Sequence, residues 1–330
     1  MAPVLVTRRI DQAELDRLAA AHEVDQWEGA GPIPRDELME RLAVAEGLLC
    51  MLTEPIGETE LAAAPRLRVV SQMAVGVDNI DIGACRARGI PVGHTPDVLT
   101  ETTADTAFAL LAAAVRRLPE GCAAVREGRW GEWDPDFLLG GDLHGTTLGI
   151  VGLGRIGTAL ALRAAGFRMR LLYTSRARKP QLEGRFGIAY RSLDDLLAEA
   201  DHVVLTAPLT PATHHLIDKR ALQRMRRDAT LVNVSRGPLV DHHALALALA
   251  EGWIGRAALD VTEPEPIPPD HPLVGMANCL IVPHLGSASR TTRGAMARLA
   301  VDNLIAGLAG DPMPAPVDPD RQIGQGSVPT

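Results

Sequence analysis

Aromatic residues make up only 3% of the 330-residue chain, so Ala, Leu and Val must fill most of its core. Cysteine is also scarce. The four present (Cys50, Cys85, Cys122 and Cys279) are far apart and form no CxxC pair. That spacing excludes a disulfide framework and a thiolate metal site, and it fits a reducing compartment. No apolar run approaches the ~20 residues that span a bilayer. The N-terminal Met1–Thr7 turns charged without a signal-type apolar region, so a cytoplasmic location is expected. Positive charge is in deficit, with a net charge of -8, which removes nucleic acid and anionic membranes as expected partners.

What is present is an ordinary globular composition, 46% hydrophobic and 22% charged, at a length suited to two domains. Short apolar runs alternate with stretches of helical period, the pattern of βαβ units and parallel sheets. Strands are expected at residues 3–7, 47–52, 67–71 and 90–93, with helices at 11–21 and 35–44. A long apolar helix over 100–118 follows, with Thr100 or Thr102 as cap and Glu101 and Asp105 as dipole partners. An irregular stretch, 127–143, carries Trp130, Trp133 and Phe137. This arm is expected either to pack on its own domain or to be buried against another subunit. Six more strands are expected at 147–151, 168–173, 202–206, 230–234, 256–261 and 279–283, enough for a doubly wound sheet. A helix over 290–310 precedes a Pro-rich tail expected to lose order toward its end.

The strand at 147–151 runs into Gly152-Leu153-Gly154-Arg155-Ile156-Gly157 and then a helical stretch. Glycine-rich turns are common, but a strand before and a helix after make this a dinucleotide fingerprint. Gly152 allows the tight turn, Gly154 lets the backbone approach a pyrophosphate, and Gly157 allows close helix–strand packing. The helix N-terminus offers N–H groups to the phosphates. About 20 residues on, an NAD site would carry Asp or Glu for the ribose hydroxyls. Here the strand ends in Ser175-Arg176, followed by Arg178 and Lys179. An arginine there suits a 2′-phosphate and favours NADPH, with NADH still possible; the plain alternative is a solvated basic turn.

Three further strands end in Arg236, Asp260 and His284, expected on the same sheet edge as the glycine loop. Reduction of a keto acid needs hydride delivery, a proton for the developing alkoxide, and a cation for the carboxylate. The Arg236 guanidinium matches carboxylate geometry. His284 suits the general acid, because imidazole titrates near neutral pH. A carboxylate beside it would orient the ring, and Glu265 is the candidate.

With these residues in order, the chain resembles the D-isomer-specific 2-hydroxyacid dehydrogenases over nearly its whole length, and within them the glyoxylate/hydroxypyruvate reductases. The matching stretches are Ala74–Asn79, Thr95–Thr100, Gly152–Gly157, Asn233–Gly237, Leu259–Pro266 and Pro283–Ser287. The resemblance implies a Rossmann-type cofactor domain, residues 100–286, inserted into a flavodoxin-like substrate domain formed by 1–99 and 287–330. It implies Arg236, Glu265 and His284 as the catalytic set, with Glu263 a rival carboxylate in the same loop. Val75, Gly76 and Ser287 would join Arg236 and His284 at the substrate. Thr103, Arg155, Ile156, Ser175, Arg176, Pro208, Val234, Asp260 and Gly286 would join the glycines around the cofactor. It also implies a homodimer through the cofactor domain, and a small 2-keto acid as substrate. The resemblance to mammalian-type reductases implies that a tryptophan from the neighbouring subunit limits substrate size there, and Phe137 stands at the matching position here. Reduction of 2-ketogluconate or another keto acid, and a non-catalytic dinucleotide-sensing scaffold like the co-repressors of this fold, are the alternatives.

Overall fold

The apolar runs of the first third form parallel strands β1 (Pro3–Val6), β2 (Glu23–Gln26), β3 (Gly47–Cys50), β4 (Val69–Gln72) and β5 (Val92–Gly93), in the order β2-β1-β3-β4-β5. In this computed structural model, which describes residues 1–318, they belong to a unit made of Met1–Leu99 and the segment from Ala288 onward. The second unit is Thr100–Ser287, so the return junction falls one residue after the expected one and Ser287 lies with the inserted unit.

β2 was not expected. Its sequence, Glu-Val-Asp-Gln, carries no apolar alternation, and it pairs only with β1 at the sheet edge, where polar strands are tolerated. One face of this first sheet packs Leu5, Leu48 and Val70 against Leu38, Leu42 and Leu61. The helix Arg290–Ala309 lies against β3 and β4, where Gly47 faces Leu304 and Leu308. Ser289 caps that helix through Thr292 N–H, and Gly310 closes it with a left-handed φ of 80°. The start of the tail is packed: Val317 N–H donates to Val92 O and His94 N–H to Ala315 O. The expectation about the tail's end falls outside the described residues.

The inserted unit holds β6 (Thr147–Val151), β7 (Arg170–Thr174), β8 (Ala189–Tyr190), β9 (His202–Leu205), β10 (Thr230–Asn233), β11 (Arg256–Leu259) and β12 (Cys279–Ile281). Their order is β12-β11-β10-β9-β6-β7-β8, all parallel. Alternate residues serve opposite faces. Val203, Leu231 and Ala257 join one core with Leu196, Leu222 and Leu245; Val204, Val232 and Ala258 join another with Leu111 and Leu160. Helices therefore cover both faces, and the sheet is doubly wound. The unexpected seventh strand, β8, is a two-residue edge.

The long helix departs from expectation. It runs Thr100–Val115, and Arg117, with φ of 52°, breaks it before a second helix, Leu118–Arg126. Thr100 and Thr102 lie inside its first turn rather than capping it. Glu101 and Asp105 are both bonded to Arg163 of the helix Arg155–Gly166, at 2.8 and 2.7 Å, so they tie two helices together. The arm beyond divides: Leu143 joins the core of its own unit, whereas Trp130, Trp133 and Leu139 are 67%, 86% and 61% exposed, so the two tryptophans do not follow the first of the two alternatives.

Candidate functional site

Chain reversal sets where ligands collect in such a sheet. β6 leads to β7 and β8 on one side, whereas β9 returns to β6's other side, leaving a switch point at the carboxyl ends of β6 and β9. The register aligns those ends in a row: Val151 with Leu205, Leu205 with Asn233, Asn233 with Leu259, and Leu259 with Ile281. Gly152, Thr206, Val234, Asp260 and Val282 therefore each stand one residue past a paired row. The glycine loop, Pro208, Arg236, Asp260 and His284 thus leave the same sheet edge.

In the glycine loop the backbone does what the residue types allow. Gly152 has φ of 99°, and a Cβ there would lie 2.6 Å from Ala207 N. A Cβ on Gly157 would meet Gly152 O at 2.5 Å, so only glycine lets helix and strand approach this closely. A Cβ on Gly154 would meet nothing within 4 Å, leaving that backbone approachable from outside. Thr206 Oγ1 donates to Gly152 O at 2.6 Å, and the half-buried Lys179 donates Nζ to Leu153 O. Burial holds the Lys179 amine below its usual range. The loop, the exposed Arg155 and the half-buried Ile156 at the helix start fit a dinucleotide pyrophosphate.

The basic turn after β7 separates its cations. Arg178 donates to both oxygens of Glu183, at 2.8 and 2.7 Å, and Tyr173 donates its hydroxyl to the same carboxylate at 2.8 Å. Ser175 Oγ donates to Ala177 O at 2.9 Å, closing the turn. Arg176 is exposed, and among the described residues it forms no hydrogen bond or ion pair.

His284 stands at φ of 54°, and its Nδ1 lies 2.6 Å from Glu265 Oε1. Of the two carboxylates in that loop, Glu265 therefore reaches the imidazole, and Glu263 bonds elsewhere, to His215. Burial pushes the Glu265 carboxyl up, but the His284 bond and charge, Thr262 N–H and the Arg236 charge outweigh it and hold it below the usual range. Arg236 is thus close enough to act on Glu265. Its own guanidinium donates to Ser235 O at 2.8 Å.

Two residues have an organising role that their sequence positions did not reveal. Asp260 was expected at the nicotinamide. In the structure its carboxylate accepts from Leu285 and Gly286 N–H, at 2.5 and 2.8 Å, and so shapes the turn that presents His284. Burial pushes the Asp260 carboxyl up despite those two bonds. Gly286 is required beside it, because a Cβ would lie 2.9 Å from Asp260 Oδ2 and 3.5 Å from Thr103. Asn233, fully buried, donates to Arg236 O at 2.8 Å and accepts from Ser235 N–H at 3.0 Å, fixing the Arg236 turn. Ser235 Oγ ties the same turn to Ala207 O. Val234, Thr103 and Ser287 are buried and Pro208 is exposed.

In the outer unit, Val75 and Gly76 are half-buried in the loop after β4. His94 Nδ1 lies 2.9 Å from Val75 O, and Gln72 donates to Asn79 at 2.7 Å. Asn79 in turn donates to Met51 O and Glu54 O, at 2.9 and 2.7 Å. A buried polar network therefore sets this loop's backbone.

All four cysteines are free, Cys50 and Cys85 being buried. No helix among the described residues is long and apolar enough to cross a membrane.

Comparison with known proteins places this edge in context. Residues 108–286 match the family model described as D-isomer specific 2-hydroxyacid dehydrogenase, NAD binding domain. A glyoxylate reductase of Korarchaeum cryptofilum is 49% identical over 309 residues, covering 93% of each chain. The human glyoxylate reductase/hydroxypyruvate reductase is 46% identical over 316 residues, covering 94% of this chain and 96% of its own. An NADPH-dependent glyoxylate/hydroxypyruvate reductase from Sinorhizobium meliloti, solved with NADP and malonate, superposes with a TM-score of 0.83 at 34% identity, covering 96% of both chains. Family match, whole-length likeness and the dinucleotide loop lead to one conclusion: this chain belongs to the D-isomer specific 2-hydroxyacid dehydrogenases.

Proposed function

We propose that this enzyme reduces glyoxylate or hydroxypyruvate, yielding glycolate or D-glycerate, with NADPH as the preferred hydride donor. The observation that carries the mechanism is the 2.6 Å His284–Glu265 bond on the same sheet edge as Arg236. With Glu265 accepting at Nδ1, the ring's Nε2–H is left to protonate the substrate oxygen. Arg236 binds the 2-keto acid carboxylate and polarises the carbonyl beside it. The same reading keeps the Val75–Gly76 backbone and Ser287 as substrate ligands. The bound dinucleotide supplies the hydride. The relatives named glyoxylate reductase support the substrate class, and their likeness runs over nearly the whole chain.

The preference for NADPH rests on Arg176, the cation in the turn after β7 that forms no described hydrogen bond or ion pair, with Ser175 beside it. The NADP bound in the Sinorhizobium enzyme is consistent with it. The exposed Trp130, Trp133, Phe137 and Leu139 support a homodimer that buries this arm. Initial rates with NADPH and with NADH, each against glyoxylate, hydroxypyruvate, pyruvate and 2-ketogluconate, test the proposal. Faster turnover of NADPH with either of the first two acids is expected. A preference for 2-ketogluconate or pyruvate would move the substrate assignment, and no turnover with any pair would favour a sensing scaffold.

A further inference from the structure

His214 and His215 are consecutive, yet their rings stack with centroids 4.0 Å apart and planes at 26°. Successive side chains of extended backbone point to opposite faces. Here His215 has a left-handed φ of 47°, which swings its ring alongside its neighbour's. Both rings address one carboxylate. His215 Nε2 lies 2.8 Å from Glu263 Oε2, and His214 Nε2 lies 3.8 Å from Glu263 Oε1. One ligating atom from each of the three residues falls within 4.8 Å of the others.

The two loops that meet here are held against a common turn. His215 N–H donates to Pro238 O at 2.7 Å, and Ile217 N–H to Leu239 O at 3.0 Å. On the other side Gly237 packs on the Thr262–Glu263 backbone so closely that a Cβ would stand 2.8 Å from Glu263 N. A His–Glu hydrogen bond alone needs only His215. At 3.8 Å His214 adds no hydrogen bond to the pair, but it adds a third donor.

We propose that His214, His215 and Glu263 form a binding site for a divalent transition-metal ion of the zinc class. Two imidazoles and one carboxylate are a recurrent zinc donor set, with metal–ligand distances of about 2.0–2.2 Å that place tetrahedral donors roughly 3.3 Å apart. The observed separations bracket that value. Magnesium and calcium, which prefer all-oxygen shells, are disfavoured by the two nitrogens. Half of the His214 side chain is exposed, which leaves an entry path and a fourth position for water. The ion would join the loop after β9 to the loop carrying Glu265, two residues past Glu263. It uses none of the side chains of the His284–Glu265 pair and requires no cofactor.

The test is a titration of tag-free Cys122→Ser protein, which lacks the exposed thiol, with Co²⁺ followed by displacement with Zn²⁺. A saturable visible absorption of tetrahedral type at about one ion per chain is expected, with a rise in thermal midpoint on loading. His214→Ala and Glu263→Gln are each expected to weaken binding at least about tenfold. His284→Ala is expected to titrate like its parent. Because His214 is exposed, its replacement leaves the fold intact, so parental titration of His214→Ala would overturn the proposal. Loss of binding in His284→Ala would instead put the ion on the His284–Glu265 pair, and absence of saturable binding would also refute the site.

Discussion

Replacing Arg176 with alanine separates a phosphate ligand from a solvated surface charge. Of the cations in the turn after β7, Arg178 is committed to Glu183 through two bonds, and Lys179 to Leu153 O. Arg176 alone is exposed without a described partner, so a 2′-phosphate gains its charge without breaking an existing bond. Hydrogen bonds to charged groups are worth about 1.5–3 kcal/mol. Solvent and salt keep an exposed pair at the low end, so the loss amounts to about tenfold in KM for NADPH. NADH lacks the phosphate, so its KM is expected to stay unchanged. Steady-state kinetics with each dinucleotide at fixed glyoxylate, at low and high salt, read this directly, and the NADPH effect should shrink as salt rises. Arg178→Ala is the internal control, expected to cost less because it removes a cation already neutralised by Glu183. Equal losses for NADPH and NADH in Arg176→Ala, or a larger NADPH loss in Arg178→Ala, would refute the assignment.

Other outcomes follow from the same geometry. His284→Ala is expected to lower kcat by about 100- to 10,000-fold, as for loss of a general acid, while dinucleotide fluorescence still reports binding; retained turnover would remove His284 from that role. Gly237→Ala puts a Cβ 1.9 Å from Thr262 O, and should cost at or above the upper end of about 1–3 kcal/mol for overpacking in urea denaturation, with turnover falling as the Arg236 and Glu265 loops are pushed apart. Burial lowers the His202 and His242 imidazoles below their ordinary 6.5, so the unfolded chain binds protons more readily than the folded one. Their contribution is therefore intact above that value and is lost as pH falls through it. Thermal midpoints should drop below about pH 6.5, and a flat profile down to pH 5 would contradict this. Trp130→Ser with Trp133→Ser should shift the chain toward monomer in sedimentation velocity if the arm is a subunit interface, and an unchanged oligomer would exclude it.

Much of this was legible in the chain itself, for local reasons. Thr147–Val151 reads as a strand and is one, because an apolar run bounded by turn residues has few other solutions. The roles of Gly152 and Gly157 follow from what a missing Cβ permits, and the structure places backbone atoms where those Cβ atoms would be. Edge strands β2 and β8 were illegible because pairing with one neighbour, not apolar pattern, creates them. The break at Arg117 does have a local signal, because Pro119 two residues on suits the first turn of a new helix rather than the interior of an old one.

Chemistry-bearing residues divide the same way. Sequence order alone determined that Arg236, Asp260 and His284 would end successive strands, since parallel strands send their carboxyl ends to one edge. Glu265 was the candidate partner of His284, with Glu263 its rival in the same loop; the path of that loop gives Glu265 to His284 and sends Glu263 to His215, a pairing the sequence did not indicate. The same holds for Asp260 closing the turn before Gly286, for Asn233 fixing the Arg236 turn, and for Glu183 claiming Arg178 but not Arg176. These pairings join residues up to 48 positions apart. Residue type and spacing specify what such groups can do, whereas their partners depend on distances that exist only once the sheet has brought its loops together.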